Sequence, residues 1–524
     1  MTSFLQRFSL LVAGVLQGFD RLVFKGKLVQ LYSPEGMHCL LAANQVPRVC
    51  FKSYSKKVRQ QLMDSPVVAR AKELDRFRYL NSGKIDKEET ARQIAAEQGI
   101  EKGLVCVLQC IEPAWTFDTA KNADSYPIIR GEQGKCSQLY HYFIHPRFGW
   151  MYLRLQTWFP FEIQIGMNGR EWLARQMDQA NLKYRRSDNK FLWIEDWQRA
   201  QQLFDEQLQT DWVRELNALQ RKFHPIHPGH LGAMKIPYNW TAFQSEWATD
   251  VAFHSAEVLA SLFDRWLRQA LLSYDSVDVM RFLGRAGVLN KINKGTEVET
   301  TIREFFEGRR IKHWLNSNSL KLYNHANVLR AETTINNPQA LSVLRRSQND
   351  PKWPPRQRPL RRGVVDMPHR AEVGQQANDR YLQALATLPE TRTLQELTEP
   401  LTQRVPEPTS KSGKSERRLR ALNPLAGEDA RLLATISNPA WMIQGVRNRD
   451  LVAALYTTDS QDPQERRRRS VRVTRLLRLL RAHGLLEKIP HSHRYQVSED
   501  ARTKIQALLA ARNANPDELT SKAA

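Results

Sequence analysis

Cysteine is scarce in this sequence: Cys39, Cys50, Cys106, Cys110 and Cys136 are the five among 524 residues. The number is odd and no two stand in a CxxC spacing. That argues against a disulfide framework and a cysteine-held zinc, and predicts a reducing, cytoplasmic setting. Long apolar runs are missing as well. The stretch Phe8 to Leu16 is broken by Ser9 and runs into Gln17-Gly18-Phe19-Asp20, too short to span a bilayer. It lacks the small-residue cleavage pattern of a secretory signal, so neither export nor a membrane partner is expected. A Walker lysine loop and a GxGxxG turn are both absent, which leaves nucleotide hydrolysis and dinucleotide chemistry without support. Acidic side chains are in deficit: 55 Asp and Glu against 78 Lys and Arg, a net charge of +23 and a pI near 9.9. Hydrophobic residues still make up 41% of the chain, so it can build cores and is no disordered polyelectrolyte. A charge this large speaks of partners, and the usual partner is nucleic acid.

What is present suggests several units, at about 150 residues per domain. The expected class is α+β and multidomain. A mixed helix and antiparallel-sheet region fills residues 1–135 (α/β) and 136–340 (aromatic strands). A basic Pro/Arg-rich linker and helix follow at 341–419, and a winged helix-turn-helix domain occupies 420–515. Strands are expected at Leu22–Phe24, Leu104–Ile111, Tyr140–Ile144, Trp150–Leu155 and Phe161–Ile165, the middle pair joined by Pro146-Arg147-Phe148-Gly149. Asn168 reads as the cap of a helix. Residues 196–222, 246–272, 275–284 and 364–390 read as helical. Arg309–Trp314, Ser319–Tyr323 and Val328–Ile335 read as strands. The Pro- and Arg-rich stretches 345–363 and 403–418 read as linkers.

The C-terminal stretch is the most patterned. Candidate helices cover Asp429–Ile436, Gly445–Leu455 and Arg466–His483. On the third, Val473, Leu476, Leu477 and Leu480 fall on one face and Arg468, Arg472, Arg475 and Arg478 on the other. Gly484 ends it. Two short strands follow around Pro490-His491-Ser492-His493-Arg494, then a closing helix from Ala501 to Ala511. The run Val473 to Lys488 resembles MarR-like and related winged-helix regulators. The resemblance implies a helix in the major groove of double-stranded DNA and a wing against the minor groove or phosphates. Arg468, Arg472, Arg475, Arg478, His493 and Arg494 are the candidate contacts, since arginine suits phosphate and guanine. A solvated basic helix used for protein contacts is the alternative.

In the centre, Lys321-Leu322-Tyr323-Asn324-His325 and Arg330-Ala331-Glu332 resemble replication initiators of rolling-circle plasmids and filamentous phages. Those proteins carry a K-x-Y-[DN]-K strand followed by an R-x-E strand; His325 stands here in place of the second lysine. The resemblance implies a sheet holding a divalent metal and a tyrosine that attacks a DNA phosphodiester. The chemistry suits the residue types. Glu332 offers oxygen to Mg²⁺ or Mn²⁺, Lys321 and Arg330 can hold phosphate, and an activated Tyr323 is a nucleophile. The alternative is a hairpin in which Lys321, Arg330 and Glu332 pair across strands and Tyr323 packs in a core.

Two further acidic pieces can join such a site. Glu246 and Asp250 stand four apart, hence on one face of the expected helix. Asp20 precedes an expected strand. Glu332 and Asp250 are the expected metal ligands. His224-Pro225-Ile226-His227-Pro228-Gly229-His230 reads as a packed or solvated loop rather than a metal cluster. His141 and His145, four apart on a strand, do not meet the two-apart spacing of HUH nucleases. The aromatic strands at 140–161 offer base stacking or core packing. Finally, Phe148–Phe161, Asn168–Gln176 and Ser245–Asp250 resemble a family of bacterial proteins of about this length, which implies a shared layout and no particular activity. The expected function is DNA binding by a protein of a mobile element or replicon. Its winged helix finds a site and its central sheet nicks or cleaves with metal, and a homo-oligomer is compatible with this. The alternatives are a non-enzymatic winged-helix regulator with a large sensing region, and an RNA-binding protein.

Overall fold

The computed structural model describes residues 2–231, 234–284, 298–305, 308–346, 354–386, 398–406, 418–438, 441, 445–456, 458, 460–489 and 492–513. Its mixed α and β content agrees with the α+β class. The strands are β1 (Val12–Lys27), β2 (Phe77–Leu80), β3 (Gly103–Lys121), β4 (Pro127–His145), β5 (Gly149–Gln156), β6 (Ile163–Asn168), the hairpin β7 (Tyr184–Ser187) and β8 (Lys190–Ile194), β9 (Asn239–Phe253), β10 (Glu299–Phe305), β11 (Gly308–Leu315), β12 (Asn318–His325) and β13 (Val328–Ile335). Eleven of them form one sheet in the order β10-β11-β12-β13-β9-β1-β6-β5-β4-β3-β2. All neighbours run antiparallel except β2 and β3.

β1 lies at the middle of this sheet. It pairs with β6 on one side and with β9 on the other, so it joins strands from residues 77–168 to strands from residues 239–335. The expected boundary at 135 falls inside β4.

Three expectations change. Leu22–Phe24 belongs to a sixteen-residue strand that starts at Val12 and takes in Gly18-Phe19-Asp20. Gly18 is a matter of close approach and not of a turn: a Cβ there would stand 2.2 Å from the Phe204 ring. Residues 246–253, expected as helix, are the end of β9, and the helix begins at Ala256. Ala248 to Phe253 are all buried because β9 is covered on both faces, which removes the alternation that marks a half-exposed strand. The expected linker 345–363 contains part of a short hairpin, Ser342–Arg345 with Arg356–Pro359; residues 347–353 of it, and 407–417 of the second linker, lie outside the described residues.

The helices in order are α1 (Thr2–Arg7), α2 (Pro34–Ala43), α3 (Phe51–Met63), α4 (Pro66–Glu73), α5 (Lys87–Glu97), α6 (Gly169–Gln179), α7 (Trp197–Asp205), α8 (Trp212–Phe223), α9 (Ala256–Leu272), α10 (Ser276–Phe282) and α11 (Met367–Leu385). The back of β9, β12 and β13 packs on α9 and α11, where Val251, Leu320, Leu322 and Ala331 meet Phe263, Trp266 and Tyr381. One buried amide ties these layers together: Asn378 of α11 donates to the carbonyls of Trp247 and Ala331 and accepts from the Thr333 hydroxyl. An Asn in a core is tolerated only when its bonds are made, as they are here.

The C-terminal residues have their own core, built from Leu432, Leu433, Ile436, Val446, Leu451, Val473, Leu477, Leu480, Leu485, Val497 and Ile505. Its elements are helices Gly427–Ile436, Asn448–Leu455 and Pro463–Ala482, an antiparallel pair Leu486–Lys488 with Tyr495–Val497, and helix Glu499–Asn513. Asp462 caps the long helix through the Gln464 N–H, Pro463 occupies its first turn, and Gly484 takes φ +70° just past its end. Among the described residues no helix is long and apolar enough to cross a membrane.

Candidate functional site

Directly opposed residues of antiparallel strands point to the same face. Across β12, β13 and β9 the rows are Tyr323–Arg330–Asp250, Lys321–Glu332–Ala248 and Ser319–Thr334–Glu246. Lys321, Tyr323, Arg330, Glu332, Glu246 and Asp250 therefore share one face, turned away from α11. Asp20 joins them by a bulge. Phe19 pairs with Trp247 and Arg21 with Glu246, which leaves Asp20 as the extra residue of β1. A bulge re-aims a side chain, and this one brings the Asp20 carboxylate to its neighbours. All seven residues expected from four separate segments thus meet at one place. Glu246 and Asp250 do so on one face of a strand and not of a helix.

The centre of the site is Arg330, 1% exposed. Its Nε donates to Asp250 Oδ1 at 2.5 Å and its Nη2 to Asp250 Oδ2 at 2.8 Å. Its Nη1 donates to Asp20 Oδ1 at 3.0 Å, and Nη2 also reaches the Asn189 carbonyl at 2.7 Å. Arg170 approaches the same pair of aspartates, with Nη2 at 2.9 Å from Asp250 and Nε at 3.6 Å from Asp20. Glu332 accepts from Lys321 Nζ at 2.5 Å on one oxygen and from the Tyr323 hydroxyl at 2.7 Å on the other. Lys321 stands 3.6 Å from Glu246 as well.

These contacts sort the carboxylates. Asp250, expected as a metal ligand, gives both oxygens to guanidinium groups. Burial pushes its acidity one way, but Arg170 and Arg330 outweigh it and hold the carboxyl below its ordinary range. Burial likewise works against the Glu332 carboxylate, and Lys321 and Arg330 overcome it to bring the group down to about 2. Asp20 and Glu246 go the other way. Burial raises both, and the charge of Glu332 raises both further, against Arg330 for Asp20 and Lys321 for Glu246. Oxygen atoms of Asp20, Glu246 and Glu332 lie within 4.8 Å of one another. Three carboxylates on three adjoining strands, two of them reluctant to ionise together, fit a hard divalent cation such as Mg²⁺ or Mn²⁺, whose charge would relieve the repulsion. Tyr323 is held protonated by burial, with the anions of Glu332 and Asp20 adding to the effect.

Sequence reasoning missed Arg170, Asn189 and Lys190. Arg170 sits in the first turn of α6, where Asn168 caps the helix through the Arg170 and Glu171 N–H groups; it is fully buried. Asn189, in the β7–β8 turn, donates to Asp20 Oδ1 at 2.6 Å. Lys190 stands over the Tyr323 ring at 5.5 Å, and burial together with Arg330 lowers its basicity. Asn168 and Asp188-Asn189 read locally as cap and turn, which is a signal for loops and not for this contact.

The histidine loop has other duties. His224 bonds the Tyr238 hydroxyl, His227 the Ile236 carbonyl, and His230 both Tyr54 and Gln61. His141 is buried against Phe223, and Tyr140 and Tyr142 are largely buried too, as core packing requires. In the C-terminal unit Arg468, Arg472, Arg475 and Arg478 are exposed on helix Pro463–Ala482, opposite buried Val473, Leu477 and Leu480. Leu476 is partly buried on the same core. Arg472 donates to both oxygens of Glu428. His493 is exposed and Arg494 half-buried beside the short strand pair; His491 lies outside the described residues. Comparison with protein families, curated proteins and solved structures finds no match.

Proposed function

We propose that the chain is a DNA-binding protein of a mobile element or replicon. Its C-terminal unit acts as a winged helix that positions it on duplex DNA, and its central sheet carries a metal-dependent site for nicking or cleaving a phosphodiester. The observation that carries this reading is the convergence of Asp20, Glu246 and Glu332 beside Lys321, Tyr323 and Arg330 on one sheet face. Oxygen-rich clusters of this kind hold the cations that stabilise charge on a phosphoryl group. In the residues' own roles, Glu332 accepts the hydrogen bond of the Tyr323 hydroxyl and thereby orients it. Lys321 and Lys190 supply positive charge for a phosphate. Arg330 and Arg170 fix Asp250 and so hold β9 and β13 in register. For the C-terminal unit, the support is the order of helices and strands, together with four arginines on one exposed helix face.

A second reading is favoured by one observation. The buried charges of the centre are extensively paired with one another, which suits a structural ion-pair lattice in a non-enzymatic regulator. The two are separated by incubating the protein with supercoiled and single-stranded DNA plus Mg²⁺ or Mn²⁺. Cleavage lost in Glu332→Ala and Asp20→Asn supports the first, and Tyr323→Phe tests for a covalent adduct. No cleavage and no adduct under any condition leaves the regulator.

A further inference from the structure

The face that carries the carboxylates continues past β12. The row through Glu332 and Lys321 runs on to Lys312 of β11 and Thr301 of β10. The row through Arg330 and Tyr323 runs on to Arg310 and Arg303. Two pairs of like charge therefore stand directly opposite each other, Lys321 with Lys312 and Arg310 with Arg303. Such pairs weaken strand pairing, so their presence in two adjoining rows calls for a reason other than the stability of the sheet. Lys321 is neutralised by Glu332. Lys312 instead lies over the Trp314 ring at 4.1 Å, and burial, with Lys321 and Arg310 beside it, lowers its basicity. Arg303 and Trp314 are exposed, and Arg310 and Lys312 half-exposed. Glu304 belongs to the other face, opposite Arg309; Glu299, level with Trp314, is the acid of β10 on this one.

We propose that β10, β11 and β12 form a phosphate-binding track that holds the backbone of a DNA strand against this face and leads it to the carboxylates of β1, β9 and β13. The inference rests on the reading of the central sheet as a DNA-processing site and names where its substrate lies. Strands stand about 4.8 Å apart, so the track extends roughly 14 Å from Glu332 to the β10 edge. Outward of Lys321 this face carries Lys312, Arg310 and Arg303 against the single acid Glu299, an excess of positive charge that suits phosphates held along it. An exposed tryptophan among the cations suits stacking with an unpaired base. The competing explanation is that Lys and Arg guard an edge strand against pairing with another chain.

The test uses the full chain, a labelled single-stranded oligonucleotide and its duplex, and anisotropy measured over a range of KCl. Lys312→Ala and Arg303→Ala should each weaken binding several-fold and reduce the slope of log K against log salt by about 0.7–0.9. Lys312→Arg and Arg303→Lys should retain it. Unchanged affinity and slope in both alanine variants, with wild-type circular dichroism, overturn the track. So does a double variant that only gains self-association, as an edge guard predicts. Arg468→Ala and Arg475→Ala in the same assay report the C-terminal unit. If they alone lower affinity, the track fails and DNA binding stands; if the wild-type chain binds neither probe, the whole reading fails.

Discussion

Arg330 and Asp250 face each other across β13 and β9, joined by two near-parallel hydrogen bonds of 2.5 and 2.8 Å with neither side chain more than 2% exposed. A fork-to-fork pair of this kind is specific in direction and holds two strands at one register. It also explains why Asp250, although central, is no free ligand: its charge is already met from both sides, by Arg330 and by Arg170.

Breaking that pair should be costly. Asp250→Asn leaves two buried guanidinium groups short of an anion, and removal of one partner from a buried pair typically costs 3–5 kcal/mol. The expected result is a large fall in the urea midpoint of the main transition. Arg472→Ala, which removes an exposed pair with Glu428, should leave that transition within about 0.5 kcal/mol of wild type. Equal effects from the two substitutions would contradict the burial argument.

Glu246 should show the opposite behaviour. Burial and Glu332 raise its pKa, so its contribution to stability is complete below the unfolded value near 4.3 and declines as pH rises through the folded value. Glu246→Gln removes the ionising group and should raise the melting temperature at neutral pH. In the wild type, Mg²⁺ or Mn²⁺ should raise it too, by about 2.7 kcal/mol of stability at a hundredfold excess over Kd. That metal-induced rise should disappear in Glu246→Gln and Asp20→Asn. A metal response retained by both variants would place the cation elsewhere.

The buried histidines should make the protein sensitive to acid. Burial lowers His141 to about 4, His224 to about 3 and His313 to about 4. The unfolded chain takes up protons near 6.5 that these sites refuse. Stability is therefore intact above that pH and is lost as pH falls toward and below 4, by about 3–5 kcal/mol for each histidine at the acid end. His141→Phe preserves the ring packed against Phe223 and should flatten the fall in melting temperature between neutral and mildly acid pH. An unchanged pH profile would mean that His141 accepts its proton in the folded state.

Much of the central site was legible because period-two alternation carries it. Lys321 and Tyr323 on one strand, and Arg330 and Glu332 on the next, are placed on a common face by spacing alone. Glu246 and Asp250 met through an incorrect element: residues four apart share a face in a helix and in a strand alike, and the fully buried run Ala248–Phe253 hides which one it is. Asp20 depends on a bulge set by the pairing of β1 with β9, and a local sequence carries no sign of that register. Arg170 and Asn189 become site residues only when α6 and the β7–β8 turn close over β1, a tertiary event. The C-terminal helices and strands were readable in order because each ends on a local signal, Asp462-Pro463 before the long helix and Gly484 after it.

The pairing of Arg472 with Glu428 bears on the basic helix face. Arg468 and Arg475 lie on that face one turn either side of Arg472, whose guanidinium donates to both Glu428 oxygens from a position half open to solvent. An exposed pair is weak, so Arg472 can exchange a carboxylate for a phosphate, but the acid still repels DNA approaching the helix. Glu428→Gln should therefore raise affinity for duplex DNA at low salt, with the gain fading as KCl screens the charge. Arg475→Ala should lower affinity about equally for all sequences if it meets phosphate, and should relax sequence preference at one position if it meets a base. Binding by a panel of duplexes with single base-pair changes distinguishes these outcomes. A Glu428→Gln variant that binds no better than wild type at low salt would remove this helix face from the DNA interface.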